Sequence, residues 1–409
     1  MQIKPILSAL RRHKAGTFLI AAQIALTLAI VCNALFIIQQ RVAHLSEPTG
    51  IDEPNIFVIK SEWVGAPAPD QADAQMRADL QALRQLPGVQ DATPSNSYPL
   101  RGDGWDDAVR LKPDQAQDSS GSTIYFADEH FIDTLGLKLI AGRNFRAEEV
   151  GHMDMRYKLA PPLVMITKAL AERLFPGDTA VGKTIYLIGG PATVVGVVEM
   201  LQAQSVEHWA SDFAYRAVII PERLNVSLGT FYIVRARPGQ LDAAMQAAAK
   251  ALFAQNPRRV INDDDGVLSF SEVRSRAYER DRGMAILMGV ICVVLLAITA
   301  AGIVGLTSFW VGQRRKQIGV RRALGATQLD VLRYFMTENL LISCGGVLMG
   351  AVLAIAINLW MVTRFEMHRL SLMYLIVGVV LLLLLGQGAV LAPALRASRV
   401  PPVEATRSV

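Results

Sequence analysis

Residues 177–184 read G-D-T-A-V-G-K-T and match the pattern of a phosphate-binding P-loop. In such a loop, backbone amides and a lysine, here Lys183, bind the phosphates of ATP. A functional P-loop follows a strand and opens a helix, whose N-terminus receives the phosphates. Here the order is reversed, because 166–175 is predicted to be helical and the residues after the motif alternate as strands do. We therefore interpret the match as accidental.

Other residue types that could support catalysis or metal binding are scattered. The acidic run at 263–265 could attract a cation, but no second cluster of ligands accompanies it, and Gly266 favours a solvated turn. The six histidines show no metal-ligand spacing, and no nucleophile lies beside a base. The sequence therefore predicts a non-catalytic chain that binds no metal or cofactor itself.

Four uncharged runs raise the mean hydropathy of the 409-residue chain to +0.30. Each exceeds the roughly 18–20 apolar residues that a helix needs to cross a bilayer. The first is also longer than the apolar core of a cleaved signal peptide, about 7–15 residues, so we expect an uncleaved anchor. The predicted spans cover residues 17–38, 284–311, 340–362 and 371–395.

Lysine and arginine residues flank these runs unevenly. They cluster at 4–14, 314–333 and 396–407, whereas acidic residues outnumber basic ones between 41 and 282. Because positive residues mark the cytoplasmic side, both termini should be cytoplasmic and the large domain should lie on the opposite side of the membrane. The basic composition then reflects topology, so no nucleic-acid partner is expected.

The fold class predicted is an α-helical membrane protein with four transmembrane helices and a large α+β extracytoplasmic domain between helices 1 and 2. This domain lacks cysteine, so no disulfide is expected in it. Two strand–helix–strand units, near residues 55–90 and 231–260, should share one sheet with helices on one face. The predicted boundaries are 1–45 for the N-terminus and first span, 46–119 and 216–270 for a porter-like α+β subdomain, 120–215 for an inserted strand-rich subdomain, 271–311 for a stalk helix and second span, 312–338 for a coupling segment, 339–395 for the third and fourth spans, and 396–409 for the tail.

The charged residues at 271–283 contain no helix breaker before Gly283, so they can continue the second span outward. One helix over 271–311 would be about 60 Å long at 1.5 Å per residue. The alternative is a solvated helix end that transmits nothing.

The segment 314–341 reads RRKQIGVRRALGATQLDVLRYFMTENLL and lies between the second and third spans. A short helix should end at Gly325, and Thr327 with Asp330 should cap the next helix. Charge alone would favour a positive-inside loop without a partner. The ordered pattern of glycine, alanine and arginine favours a binding segment instead.

This pattern resembles the signature of the MacB/FtsX-type ABC transporter permeases, R-R-x-E-I-G followed by a hydrophobic residue, R-[RK]-A, a hydrophobic residue and G-A. Gln317 replaces the usual glutamate, which puts a salt bridge at that position in doubt. Further stretches resembling the family lie at 86–94, 131–145, 171–187, 194–199 and 400–408.

The resemblance implies that this chain docks on a separate ABC ATP-binding subunit, which holds ATP and Mg. It also implies a second permease chain, identical or related, and transmission of movement to the periplasmic domain. Some relatives export drugs or peptides with a periplasmic adaptor and an outer-membrane channel; others extract lipoproteins or control cell-wall hydrolases, so a scaffold or regulator without transport remains the alternative. The residues implied to couple to the ATPase are Arg314, Arg315, Gln317, Ile318, Gly319, Arg321, Arg322, Ala323, Leu324, Gly325 and Ala326.

Small residues recur at helical spacing inside two of the spans. Ala297, Ala301 and Gly305 are four residues apart in the second span, and Gly346 and Gly350 form a GxxxG in the third. Such spacing lets helix backbones approach closely, within one chain or between subunits. Glycine and alanine are also common in spans that make no such contact.

Overall fold

The computed structural model describes residues 14–65, 67–154, 160–206, 208–225, 229–365 and 369–399. The chain forms two compact units. The helical unit contains Met1–Ser46 and Arg280–Val409, and the α+β unit contains Glu47–Glu279. Among the described residues, four helices are long and apolar enough to cross a membrane, and the α+β unit comes between the first and second of them in the sequence, which confirms the predicted fold class.

The helices are α1 (Lys14–Leu45), α2 (Pro69–Arg84), α3 (Phe131–Leu135), α4 (Lys168–Leu174), α5 (Leu241–Gln255), α6 (Phe270–Ala277), α7 (Glu279–Gln313), α8 (Arg315–Ala323), α9 (Gln328–Phe365) and α10 (Leu372–Ser398). The strands are β1 (Ile56–Trp63), β2 (Val89–Ser95), β3 (Trp105–Val109), β4 (Ser120–Phe126), β5 (Leu139–Gly142), β6 (Gly151–Asp154), β7 (Leu163–Thr167), β8 (Thr184–Leu187), β9 (Gly190–Val198), β10 (Ala217–Ile220), β11 (Glu222–Asn225), β12 (Gly229–Ala236), β13 (Arg259–Val260) and β14 (Val267–Ser269).

In the helical unit, α1 is the most buried of the four long helices because α9 and α10 pack against it. Its apolar side chains form one core with residues of α7, α9 and α10. Polar side chains add contacts: Gln23 donates to the carbonyl of Ile298 (3.1 Å) and Asn33 to that of Ala354 (3.2 Å). Such bonds contribute about 1 kcal/mol each between helices in a membrane.

The first sheet of the α+β unit has the order β13-β1-β12-β2, all antiparallel, and β14 also pairs with β1. Pro69 and Asp70 suit the first turn of α2, and Met76, Leu80 and Leu83 recur at helical spacing and face the core. Helices α2 and α5 contact each other and share this core with alternate residues of β1 and β12. The two strand–helix–strand units therefore share one sheet, with both helices on one face, as predicted.

The second sheet has the order β3-β4-β10-β7-β9-β5, with β8 paired to β9. Pairs β4–β10 and β7–β9 are parallel and the other pairs are antiparallel. This sheet begins at Trp105 and ends at Ile220, so it extends beyond the predicted subdomain 120–215 on both sides. The predicted boundary at residue 120 leaves strand β3 in the first subdomain. Only the pairing of β3 with β4, and not its sequence, shows which sheet it joins.

A buried ion pair, absent from the sequence-based expectations, ties β13 to α2. The guanidinium of Arg259 donates to both carboxylate oxygens of Asp79 at 2.7 and 3.0 Å, and neither side chain is exposed. The hydroxyl of Tyr232 also donates to Asp79, at 2.7 Å. Burial and the neighbouring Asp79 raise the pKa of Tyr232 well above its ordinary value, so this hydroxyl keeps its proton.

The single helix predicted over 271–311 is wrong, because Tyr278 separates α6 from α7. Its backbone leaves the helical region (φ −104°, ψ 11°), its side chain is buried, and its hydroxyl accepts from Gln202 at 3.4 Å. Gln202 is far away in sequence, so helix propensity gave no signal of the break. The boundary between the two units lies next to this break, after Glu279.

Candidate functional site

The P-loop-like residues lie between α4 and β8, so the order is helix, turn and strand, as the sequence predicted. The ammonium of Lys183 forms an ion pair with Asp178 and lies 4.7 Å from the centre of the Phe175 ring. This hydrogen bond from Lys183 lowers the pKa of the Asp178 carboxyl below its ordinary value. No helix N-terminus follows the turn, so the geometry that binds phosphate in a P-loop does not form.

The remaining candidates do not assemble into a site. Residues 263–265 lie in a turn. Among the residues that the structure describes, no three His, Cys, Asp or Glu side chains are grouped so as to hold a metal ion.

We name residues 314–327 the elbow. Arg314 is the one residue between α7 and α8, and α8 ends in a left-handed Gly325 (φ +97°). The amides of Gly325 and Ala326 donate back to the carbonyls of Arg322 and Arg321, both at 3.1 Å, which is a Schellman motif. The hydroxyl of Thr327 then accepts from the amide of Asp330 at 3.2 Å and caps α9 as predicted.

One face of the elbow is attached to the rest of the helical unit. Ile318 is buried in the core that contains Val331 and Phe335 of α9. The guanidinium of Arg314 bridges both carboxylate oxygens of Glu338 at 2.9 and 3.1 Å. This face is therefore held by apolar packing and by charge.

Two further arginines complete the attachment. The guanidinium carbon of Arg321 lies 5.2 Å from the centre of the Tyr334 ring, and Nη1 of Arg322 donates to the carbonyl of Ser398 at 3.0 Å. The latter contact reaches the last residue of α10, where a cation also favours the helix C-terminus. Gly319 is buried as well. Several residues predicted to couple to an ATPase are thus engaged within the chain.

The opposite face of the elbow is exposed. Lys316, Val320 and Leu324 follow one another at intervals of four, and the Leu324 side chain is 83% exposed. Of the predicted coupling residues, Arg315, Gln317, Arg321, Ala323 and Gly325 are also exposed, and Ala326 is half-buried. Lys316 and Val320 are not among the residues that the family resemblance implies, although their spacing from Leu324 is visible in the sequence. The exposed face of the elbow combines apolar side chains with cations, so a complementary partner surface would be apolar with acidic side chains.

Two family models match the chain. The MacB-like periplasmic core domain matches residues 17–252, and the FtsX-like permease C-terminal domain matches residues 289–402. The chain belongs to the MacB/FtsX-type ABC permease family. It is a membrane protein with four spans and a periplasmic MacB-like domain.

Several named relatives resemble this permease. It is 26% identical over 332 residues to the macrolide export ATP-binding/permease protein MacB of Chromobacterium violaceum, covering 78% of this chain and 49% of that protein. It is 24% identical over 294 residues to the uncharacterized ABC transporter permease YvrN of Bacillus subtilis, covering 69% of each. The permease therefore spans about half the length of the MacB relative.

Among solved structures, the periplasmic region of MacB from Actinobacillus actinomycetemcomitans is 14% identical, with a TM-score of 0.35. The match covers 57% of this permease and 97% of that chain.

The small residues singled out from the sequence lie in two different surroundings. Gly346 and Gly350 face α1 within the permease, where an added Cβ would lie 2.8 Å from the carbonyl oxygen of Ala21 or Ala25. Ala297, Ala301 and Gly305 lie instead on the exposed side of α7. The first pair thus belongs to packing inside the chain. The C-terminal stretch 400–408 and the basic residues up to position 12 lie outside the described residues.

Proposed function

We propose that this chain is the permease subunit through which a separate ATP-binding subunit moves the periplasmic domain. The observation that carries the proposal is the division of the elbow into an attached face and an exposed face. The attached face fixes α8 to α9 and α10, while Lys316, Val320 and Leu324 remain accessible to a partner. Because one face of the elbow is attached to the membrane helices and the other face is exposed, the elbow passes force from a docked protein into those helices.

Hydrolysis belongs to the partner in this proposal. The P-loop-like turn offers no phosphate site, so ATP and Mg bind to the separate subunit. The permease itself performs no catalysis.

The direction of movement that we propose is export, with a drug, peptide or lipophilic molecule as cargo. The name of the MacB relatives, a macrolide export protein, supports this choice. A second permease chain, identical or related, a periplasmic adaptor and an outer-membrane channel would complete the assembly. The chain would lie in a bacterial inner membrane, surrounded by its lipids, with both termini in the cytoplasm.

The runner-up is a membrane-anchored regulator or scaffold in the periplasm without transport. It is favoured by the exposed side of α7, which leaves the second span free to serve a structural partner as well as a transport partner. It predicts activity that does not depend on ATP.

Docking through the elbow is tested by purifying the tagged chain from its native membranes. The wild type should retain an ABC ATP-binding subunit, and Leu324→Glu should retain about tenfold less, because a charge would replace an apolar contact at the centre of the interface. Ile188→Glu, at an equally exposed apolar residue of the periplasmic domain, is the control and should retain the full amount. Equal retention by all three proteins would contradict docking through this face.

A further inference from the structure

The ion pair between Arg314 and Glu338 lies at the joint between the second span and the elbow. The side chains are only 12% and 3% exposed, and one guanidinium nitrogen bridges both carboxylate oxygens. We propose that this pair is a latch: both are positioning residues that carry elbow movement into the third span, and neither contacts the ATP-binding subunit. The inference rests on the proposed function.

Burial separates Arg314 from the arginine that follows it. Arg315 is exposed, whereas the guanidinium of Arg314 is directed into the helical unit. A carboxylate as buried as that of Glu338 requires a paired cation, because an unpaired buried charge is costly. The pair therefore constrains how far α8 can separate from α9.

The contacts along α8 repeat at helical spacing. Arg314 and Arg321, seven residues apart, meet Glu338 and Tyr334, which are four residues apart on α9. Ile318 lies between the two arginines and packs into the shared core. The elbow and α9 are thus joined at three successive positions, and the ion pair lies at the joint itself.

The backbone conformation at Arg314 connects the latch to the second span. This residue has non-helical dihedrals (φ −98°, ψ 8°) and separates α7 from α8, so any rotation of the elbow relative to the second span must occur there. The same residue holds the third span through its side chain. Movement of the elbow would therefore reach the second span through the backbone and the third span through the ion pair.

The test uses the full chain in complex with the ATP-binding subunit that co-purifies with it. Glu338→Gln should retain the subunit within about twofold of wild type, while the permease-dependent increase in ATP turnover falls about tenfold. Lys316→Gln, on the exposed face, should show the reverse: less subunit retained, but normal turnover per retained complex. A purely structural role of the pair would lower both quantities together.

Two further variants keep the test decisive if Glu338→Gln folds poorly. Arg314→Lys keeps the charge but places it on a compact ammonium instead of a planar guanidinium, and it should reduce the turnover increase only partly. The exchanged pair Arg314→Glu with Glu338→Arg should restore at least half of the turnover increase that either single change removes.

Different results identify which claim fails. A wild-type chain that retains no ATP-binding subunit would overturn the proposed function, and the latch with it. If the wild type retains the subunit, three results would overturn the latch alone: full turnover in Glu338→Gln, loss of the subunit from a folded Glu338→Gln chain, or no rescue by the exchanged pair.

Discussion

At the scale of single residues, surroundings decide the role of a cation more than its place in a motif. Lys183 completes a P-loop pattern, yet its ammonium is paired with Asp178 beside the Phe175 ring. Arg259 belongs to no motif, yet it is fully buried against Asp79. The sequence predicted that the first match was accidental because order along the chain is visible in it. It could not predict the second pair, because 180 residues separate the partners.

Arg259→Met should destabilise the sheet around the buried pair. The change leaves the Asp79 carboxylate buried without its cation, which costs about 3–5 kcal/mol. Hydrogen exchange of the β1 and β12 amides in the full chain measures this as a loss of local opening free energy.

A surface ion pair of similar length provides the control. Arg110 and Asp118 are joined at 2.7 Å, but their side chains are 43% and 48% exposed. Asp118→Asn should therefore change the exchange of neighbouring amides by less than about 1 kcal/mol. Similar losses in the two variants would show that burial does not set the strength of these pairs.

Glu149 should contribute a pH-dependent part of stability. Hydrogen bonds from Arg143, at 2.6 and 2.7 Å, lower the pKa of this carboxyl to about 2 from an ordinary value of about 4.5. A lowered carboxyl pKa stabilises the fold above the unfolded pKa, and this contribution is lost as the pH falls from about 4.5 towards 2.

Glu149→Gln should thus flatten the acid dependence of protection around residues 143–150 in that window. The measurement is hydrogen exchange of the full chain at several pH values, corrected for intrinsic rates. An identical acid dependence in the variant and the wild type would assign the effect to other carboxyls.

At the scale of elements, apolar runs located every span, while the cap at Thr327 located the start of α9. The third apolar run begins only at residue 340, because the first turns of α9, from Gln328, are polar. The break at Tyr278 coincides with burial of its side chain and a hydrogen bond from Gln202, 76 residues away, and neither is visible in the local sequence. The two sheets illustrate the same limit, since pairing partners rather than strand sequences divide them.

Gly350→Ala should weaken the packing of α9 on α1. The new Cβ would lie 2.8 Å from the Ala25 carbonyl oxygen and 2.9 Å from Cβ of Leu28, so the backbones would have to separate. Gly345→Ala, in the same helix, meets nothing within 4 Å and should gain up to about 1 kcal/mol from helix propensity. Thermal unfolding of the purified chain should therefore rank the Gly345 variant above the Gly350 variant. The opposite ranking would contradict the close approach of α1 and α9.

At the scale of the whole molecule, the sequence identified the elbow but not its two faces. Charge predicted a cytoplasmic segment, and the family resemblance implied a partner that contacts residues including Arg314 and Arg322. The structure directs both inward, towards Glu338 and the end of α10, and leaves Lys316 and Val320 exposed. Which side of a short helix faces its own chain depends on tertiary packing, so the motif alone could not divide these residues.

The central claim is that force from an ATP-binding subunit enters this chain through the elbow. Electron cryomicroscopy of the complex isolated from native membranes tests it most directly. We expect density for an ABC ATP-binding subunit against Lys316, Val320 and Leu324, with Arg314 still paired to Glu338. An isolated complex in which that face contacts no nucleotide-binding protein would contradict it.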